Sequence, residues 1–155
     1  MSESQVASVY QQFVDSPLVP MTLRVGVAGH REHTNIRADN DVLIKQITAL
    51  YSLIHEQLSR CHEHPHASIL YASVPPVLRL TSSMADGADR LLLEPALVKE
   101  QYELSCILPF TASEYARDFD AASQQAFFKI LNRANYQQPD SKVLELDGKR
   151  ENADF

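Results

Sequence analysis

The sequence has few cysteines, no long apolar run and no beginning typical of a secreted protein. Its two cysteines stand in different contexts, Cys61 at the end of a predicted helix and Cys106 inside an apolar run. They do not resemble a disulfide framework, so we expect free thiols in a reducing compartment. The first twenty residues lack a basic region followed by an apolar stretch, and no window approaches ~18 consecutive apolar residues. We therefore expect a cytoplasmic protein with no membrane segment.

The sequence also lacks an excess of positive charge. Its formal net charge is −6 over 155 residues, whereas a general nucleic-acid binder needs a concentrated basic surface. We expect no nucleic-acid partner, although an acidic domain can still contain a local basic pocket. Hydrophobic residues make up 45% and charged residues 22% of the chain, a balance that argues against a disordered or fibrous protein. The length fits one globular domain with a real core.

Two regions of the chain differ in composition. Residues 1–20 are rich in serine, glutamine and valine and end in a stretch with two prolines, which force the chain to enter the first strand in an extended conformation. We interpret them as an N-terminal arm, with a frayed leader as the alternative. Four apolar residues of the arm have the spacing of a short amphipathic helix: Val6, Tyr10, Phe13 and Val14. Residues 21–155 form the folded domain.

Apolar strands alternate with amphipathic helices along the domain. Apolar runs predict strands over residues 21–28, 77–81, 102–110 and 142–147. Helical periodicity predicts helices over about 40–62 and 88–101, and over 111–134 with a break near 118–120. Residues 68–72 could add a short strand. This order predicts an α/β, Rossmann-like fold, a mostly parallel sheet with helices on both faces. The sequence ends where a fourth helix would begin, so we expect a copy of the domain without its C-terminal part.

The first strand is followed by the motif Gly26-Val27-Ala28-Gly29-His30-Arg31. In an open parallel sheet, ligands bind beyond the carboxyl ends of the strands. Gly29 allows the backbone to turn tightly and approach a ligand, and Arg31 offers a bidentate donor suited to phosphate. The motif is neither a G-x-G-x-x-G fingerprint nor a Walker A loop, and a plain tight turn is the alternative.

The second strand is followed by the motif Ser82-Ser83-Met84-Ala85-Asp86-Gly87-Ala88-Asp89-Arg90. Its small residues lead into a helix, whose first backbone N–H groups can face an anion. Asp86 and Asp89 could cap this helix or bond the hydroxyls of a ribose, and we count Asp86 among the candidate ligand-binding residues. Arg90 could reach the ligand or pair with Asp86. The alternative interpretation is that the whole motif is only a capped turn between a strand and a helix.

The third strand is followed by Pro109-Phe110-Thr111 and then by Glu114, Tyr115 and Asp118. An aromatic ring at a strand end can stack on a base, and Tyr115 or Asp118 can bond sugar hydroxyls. The alternative is a capping box, in which Thr111 bonds the backbone of Glu114 while the glutamate reaches back.

The sequence supports a metal site or a catalytic nucleophile less well than it supports a ligand-binding site. A group of histidines and one cysteine lies after residue 54, but their spacing fits no common metal site and Pro65 interrupts them. We predict no metal and no cofactor. A nucleophile elbow G-x-S-x-G is absent, and Ser82 or Ser83 could act as nucleophiles only if a base such as His30 came within hydrogen-bond reach.

The three motifs together resemble the bacterial SLOG superfamily, relatives of DprA and of the LOG nucleotide hydrolases, over about residues 21–155. The resemblance implies a Rossmann-like domain that senses a nucleotide or a nucleotide-derived messenger, such as ADP-ribose or a cyclic nucleotide. Such domains often belong to larger proteins of signalling or defence systems, and family likeness suggests a homodimer. The resemblance also assigns positions: Gly29, His30 and Arg31 on the phosphate side, Ser82, Ser83, Gly87 and Arg90 on a second wall, and Phe110 and Tyr115 at the rim.

The sequence departs from the LOG hydrolases in one motif. Those enzymes rely on P-G-G-x-G-T-x-x-E, which is absent from this chain. The leading hypothesis is therefore a sensor domain that binds a small ligand without catalysis. One alternative is an enzyme that hydrolyses a nucleotide N-glycosidic bond, with Glu94 or Asp86 as the acid/base. The other is a protein-interaction module in which the motif loops only turn the chain.

Overall fold

The computed structural model describes residues 18–29 and 40–148. Predictions about the N-terminal helix, about His30 and Arg31, and about a helix after residue 148 lie outside these ranges. The strands are β1 (Thr22–Val27), β2 (Val77–Ser82), β3 (Tyr102–Leu108) and β4 (Val143–Glu145). The helices are α1 (Asn40–His62), α2 (Ala67–Leu70), α3 (Ala88–Leu91), α4 (Glu94–Val98), α5 (Ala112–Ala116) and α6 (Ala121–Arg133).

The four strands form one parallel sheet in the order β1-β2-β3-β4. In the pairing register, Val25 lies beside Leu80 and Leu80 beside Leu104. Helices connect consecutive strands and flank the sheet. The prediction of an α/β, Rossmann-like fold with a parallel sheet is confirmed.

The core lies between the helices and one face of the sheet. Alternate residues of the central strands are buried on this face, including Leu78 and Leu80 of β2 and Leu104 and Leu108 of β3. Buried side chains of α1, α4, α5 and α6 join them in a single apolar cluster. Connections between parallel strands are right-handed, and in a sheet whose strands follow chain order they place the helices on one face. The described helices therefore cover the face that carries these leucines, whereas the prediction had helices on both faces of the sheet.

Two local predictions were wrong in detail. The segment predicted as a short strand at 68–72 contains helix α2, and a backbone hydrogen bond from Tyr71 to Ala67 closes its turn. The single helix predicted over 88–101 is divided into α3 and α4. Pro95 lies in the first turn of α4, where the first N–H groups of a helix have no partner, so the missing N–H of proline costs nothing. In the interior of a longer helix the same proline would remove a backbone hydrogen bond, so α3 cannot continue through it.

The predicted break near residues 118–120 is confirmed. Helix α5 ends at Ala116, and α6 begins after Asp120. The side chain of Asp120 accepts a hydrogen bond from the backbone N–H of Ser123 at 2.8 Å and so caps α6. The break exists because the chain provides a second N-cap in the middle of the helical segment.

Candidate functional site

The carboxyl ends of the first three strands lie side by side. In the pairing register, Val27 at the end of β1 is beside Ser82 at the end of β2, and Ser82 is beside Cys106 near the end of β3. The three sequence motifs therefore begin at one edge of the sheet. Open parallel α/β sheets bind their ligands at this edge, at points where the strand order reverses; the order of the four described strands contains no such reversal.

The carboxylate of Asp89 joins the first motif to the second. One of its oxygens accepts a hydrogen bond from the backbone N–H of Gly29 at 2.6 Å, and the other accepts one from the hydroxyl of Ser83 at 2.8 Å. Asp89 is only 2% exposed, and hydrogen bonds to a charged acceptor are stronger than those between neutral groups. We call this arrangement the Asp89 bridge. It fixes the end of β1 against the loop after β2.

Close packing reinforces the Asp89 bridge. A Cβ atom built on Gly29 would overlap the Cβ of Ala88, the first residue of α3. The same atom built on Gly26 would have nothing within 4 Å. The two glycines of the first motif therefore differ in their roles, since only Gly29 is required for close approach of the two loops.

The loop between β2 and α3 has an unusual backbone. Met84 has a φ of 63° although it carries a side chain, and Gly87 has a φ of 94°. Met84 is fully buried, and its N–H donates to the hydroxyl of Ser82 at 3.2 Å. A non-glycine residue in this region costs about 1–3 kcal/mol and persists only where its surroundings enforce it, most often at functional sites.

Arg90 holds this loop from the inside. Its Nε donates to the backbone oxygen of Met84 at 3.0 Å, and its Nη1 donates to the backbone oxygen of Ser123 at 2.9 Å. The guanidinium lies 4.2 Å from the ring centre of Phe119. Desolvation lowers the pKa of Arg90, and the nearby carboxylate of Asp86 opposes that shift. Nε and Nη1 are thus engaged within the protein, which indicates a positioning role, whereas Nη2 is buried without a hydrogen-bond partner among the described residues.

Asp86 does not cap α3, so that part of the prediction was wrong. The N-cap is Gly87, and no side chain bonds the first turn there. The alternative pairing with Arg90 is present, with an Nη1–Oδ1 distance of 3.4 Å, and the hydroxyl of Ser123 donates to the second oxygen of Asp86 at 3.0 Å. The Asp86 side chain is 52% exposed, so its carboxylate also faces solvent beside the loop.

The third motif contributes aromatic rings and a helix cap. The ring of Tyr115 is buried against Phe127, whereas Phe110 is half-buried with its ring centre 6.5 Å from that of Tyr115. Thr111 caps α5 by accepting from the N–H of Glu114 at 3.4 Å, and the Glu114 carboxylate accepts from Arg117 at 2.9 Å. The N-cap half of the predicted capping box is confirmed.

Two residues outside the predicted ligand-binding set belong to the framework of the site. Asp89 forms the bridge described above, and its partner Gly29 lies 60 residues away in the chain. Gly148 comes after β4, and a Cβ atom there would overlap the backbone oxygen of Pro109 and come within 3.2 Å of the Phe110 ring. Asp89 lies within the second motif, and Gly148 follows the fourth predicted strand. The partner of each residue becomes visible only in the fold.

The described part of the edge offers little reactive chemistry. Burial raises the pKa of the Cys106 thiol to about 12, so this thiol is not a nucleophile at neutral pH. The hydroxyl of Ser83 donates to Asp89 and has no histidine partner within residues 18–29 and 40–148. Among the same residues, no group of three or more metal-ligating side chains could hold an ion. None of the helices in the described ranges has the length and apolar character needed to cross a membrane.

A scan against protein-family models, a search of the curated proteins and a search of the solved structures each found no match. The fold and the geometry of the site define the class of this chain: an α/β domain with a parallel sheet and three motif loops at one edge. The resemblance to the SLOG superfamily depends on those motif residues alone.

Proposed function

We propose that this chain is a sensor domain that binds a nucleotide-derived ligand, of the ADP-ribose or cyclic-nucleotide kind, at the carboxyl edge of its sheet. The observation that carries the proposal is the Asp89 bridge, which holds Gly29 against the loop after β2. Two loops that begin at neighbouring strand ends are thereby joined into one wall. The wall lies at the carboxyl edge, the edge of the sheet on which α/β domains bind nucleotides.

The chemistry of the described edge suits a nucleoside. Phe110 is half-buried at the rim, where one face of a ring can stack on a base. The half-exposed carboxylate of Asp86 can accept hydrogen bonds from ribose hydroxyls. The strained backbone at Met84 supports a site here, because such strain collects at functional loops.

Binding without hydrolysis fits the contacts of the acidic residues. Both oxygens of Asp89 accept hydrogen bonds from the protein, and Asp86 is bonded to Ser123 and paired with Arg90. These contacts give both carboxylates a part in fixing the loops. A role in a signalling or defence system, as part of a larger effector protein, is suggested by the motif resemblance and is part of the same proposal.

The test is a thermal-shift screen with ADP-ribose, NAD, AMP and cyclic AMP, followed by calorimetry on any hit. A true ligand at ~100 times its Kd stabilises the folded state by about 2.7 kcal/mol, which appears as a clear rise in melting temperature. Chromatography after long incubation shows whether the ligand stays intact. No shift with any compound would overturn the proposal, and a cleaved ligand would replace the sensor with a hydrolase.

A further inference from the structure

Arg90 carries a buried positive charge that its surroundings match incompletely. Only 8% of the residue is exposed, and its guanidinium lies over the ring of Phe119, 4.2 Å from the ring centre. Buried charges in proteins are normally paired with an opposite charge and hydrogen-bonded. Here Nη2 is buried and has no hydrogen-bond partner among the described residues. A buried donor in this state is costly, so a further acceptor is expected beside it.

Asp86 forms an ion pair with Arg90, but the contact is loose. Its Oδ1 lies 3.4 Å from Nη1, beyond the length of about 2.7–2.9 Å that hydrogen bonds between two charged groups usually have. The Asp86 side chain is 52% exposed, and solvent weakens an ion pair of this kind. The carboxylate therefore rests against Arg90 from the solvent side and can leave at small cost.

Ser123 links the two charged groups. It lies in the first turn of α6 and was not among the predicted site residues. Its hydroxyl oxygen accepts a hydrogen bond from Nη1 of Arg90 at 2.6 Å, and its hydroxyl group donates to Oδ2 of Asp86 at 3.0 Å. Once Asp86 turns into solvent, the Ser123 hydroxyl becomes a free donor beside the guanidinium. A hydroxyl and a guanidinium in one place are donors that suit an oxyanion.

We propose that Arg90 and Ser123 form an oxyanion subsite, which the carboxylate of Asp86 occupies in the free protein and leaves when a phosphodiester binds. The subsite rests on the proposed function, and it adds a role for Asp86 as an internal occupant that the ligand displaces. After displacement Asp86 stays on the loop between β2 and α3, where its oxygens can accept hydrogen bonds from ribose hydroxyls.

The local charge specifies the class of phosphate. Desolvation lowers the pKa of Arg90, and the charges of Asp86 and Asp120 oppose that shift, so a second carboxylate already acts on the guanidinium. A phosphodiester carries one negative charge and replaces Asp86 without adding to the negative charge. A phosphomonoester is close to doubly charged at neutral pH and would add to it. The subsite therefore favours a diphosphate linkage or a cyclic phosphodiester over a terminal monophosphate.

The test measures how dimethyl phosphate, a phosphodiester without a nucleoside, raises the melting temperature of the full chain at constant ionic strength. Asp86→Ala removes the internal occupant. We expect its apparent Kd to be at least ~10-fold lower than that of the parent, in which the carboxylate must leave first. Asp86→Asn keeps the size of the side chain and should shift the Kd in the same direction, which guards against poor folding of the alanine variant.

The matched control is Asp140→Ala, which removes the same charge from an exposed turn after α6, where Asp140 accepts from Asn135. This variant should bind dimethyl phosphate like the parent. Ser123→Ala in the Asp86→Ala background removes the hydroxyl donor and should abolish most of the gain.

Equal affinities for the parent, the Asp86 variants and Asp140→Ala would overturn the proposal, because Asp86 would then block nothing. A gain that survives Ser123→Ala would also overturn it, since it would mean an adventitious ion only, bound elsewhere. The test contains no nucleotide, so its failure would strike the subsite alone. A nucleotide screen without a hit would strike the proposed function and leave this result standing.

Discussion

At the scale of single residues, Asp89 joins two of the three motif loops. Its two oxygens accept from Gly29 and Ser83 at 2.6 and 2.8 Å, in a position that is almost fully buried. Removing the charge leaves two donors without a strong acceptor, and such losses are expensive in the interior. The neighbouring Asp86 belongs to the same motif but is half exposed, so the two acids should respond differently to the same change.

We expect Asp89→Asn to lower the free energy of unfolding by about 1.5–3 kcal/mol, the usual contribution of hydrogen bonds to a charged group. The matched change Asp86→Asn should cost less than about 1 kcal/mol, because solvent screens an exposed ion pair. Urea unfolding of both variants measures the difference. Equal losses would show that the Asp89 bridge has no special role.

Cys106 gives a residue-scale prediction for pH. Burial raises the pKa of its thiol to about 12, whereas an unfolded chain ionises a thiol at about 8.5. The contribution of Cys106 to stability is therefore complete below that lower pKa and is lost as the pH rises toward the higher one. At about pH 10.5 the loss should reach roughly 2–3 kcal/mol relative to pH 8.

The control for Cys106 is Cys106→Val, which fills a similar volume but cannot ionise. The raised pKa of Tyr51 acts in the same direction in both proteins, so it cancels in the comparison. Urea unfolding at the two pH values, with reductant present, should show a steeper decline for the parent protein. Parallel declines would mean that the thiol is not buried as described.

At the scale of elements, local signals predicted most boundaries. An apolar run located β3, and the break before α6 was visible in the sequence because both signals are local. The segment that contains α2 was misassigned, since four residues give too short a period to separate a strand from a helical turn. The contact between Gly29 and Asp89 was not predictable, because it joins residues far apart in the chain.

The N-cap of α6 supplies a prediction for one element. Asp120→Ala removes the acceptor for the backbone N–H of Ser123 and should cost about 1 kcal/mol of folding stability. Asp120→Asn keeps an acceptor and a good capping residue, so it should stay close to the parent protein. Thermal unfolding of the two variants checks this, and a loss as large in the asparagine variant as in the alanine variant would rule out capping as the cause.

At the scale of the whole molecule, the parallel sheet has two contrasting surfaces and one functional edge. The described helices cover one face, and the other face is uncovered within the described ranges. The three motif loops meet at the carboxyl edge, where the bridge between Gly29 and Asp89 sets their spacing. The parallel sheet and its carboxyl edge were predictable from the alternation of elements, but the strand order and the residues that join the loops required the three-dimensional structure.

The central claim is that a nucleotide-derived ligand binds where Gly29 meets the loop after β2. Calorimetry with the ligand identified by the thermal-shift screen tests it through two alanine variants of one strand end. Gly29→Ala places a methyl group against Ala88, whereas Gly26→Ala places one in open space. The account predicts that Gly29→Ala weakens binding at least ~10-fold, equivalent to about 1.4 kcal/mol, while Gly26→Ala binds like the parent. Equal affinities for the two folded variants would contradict it.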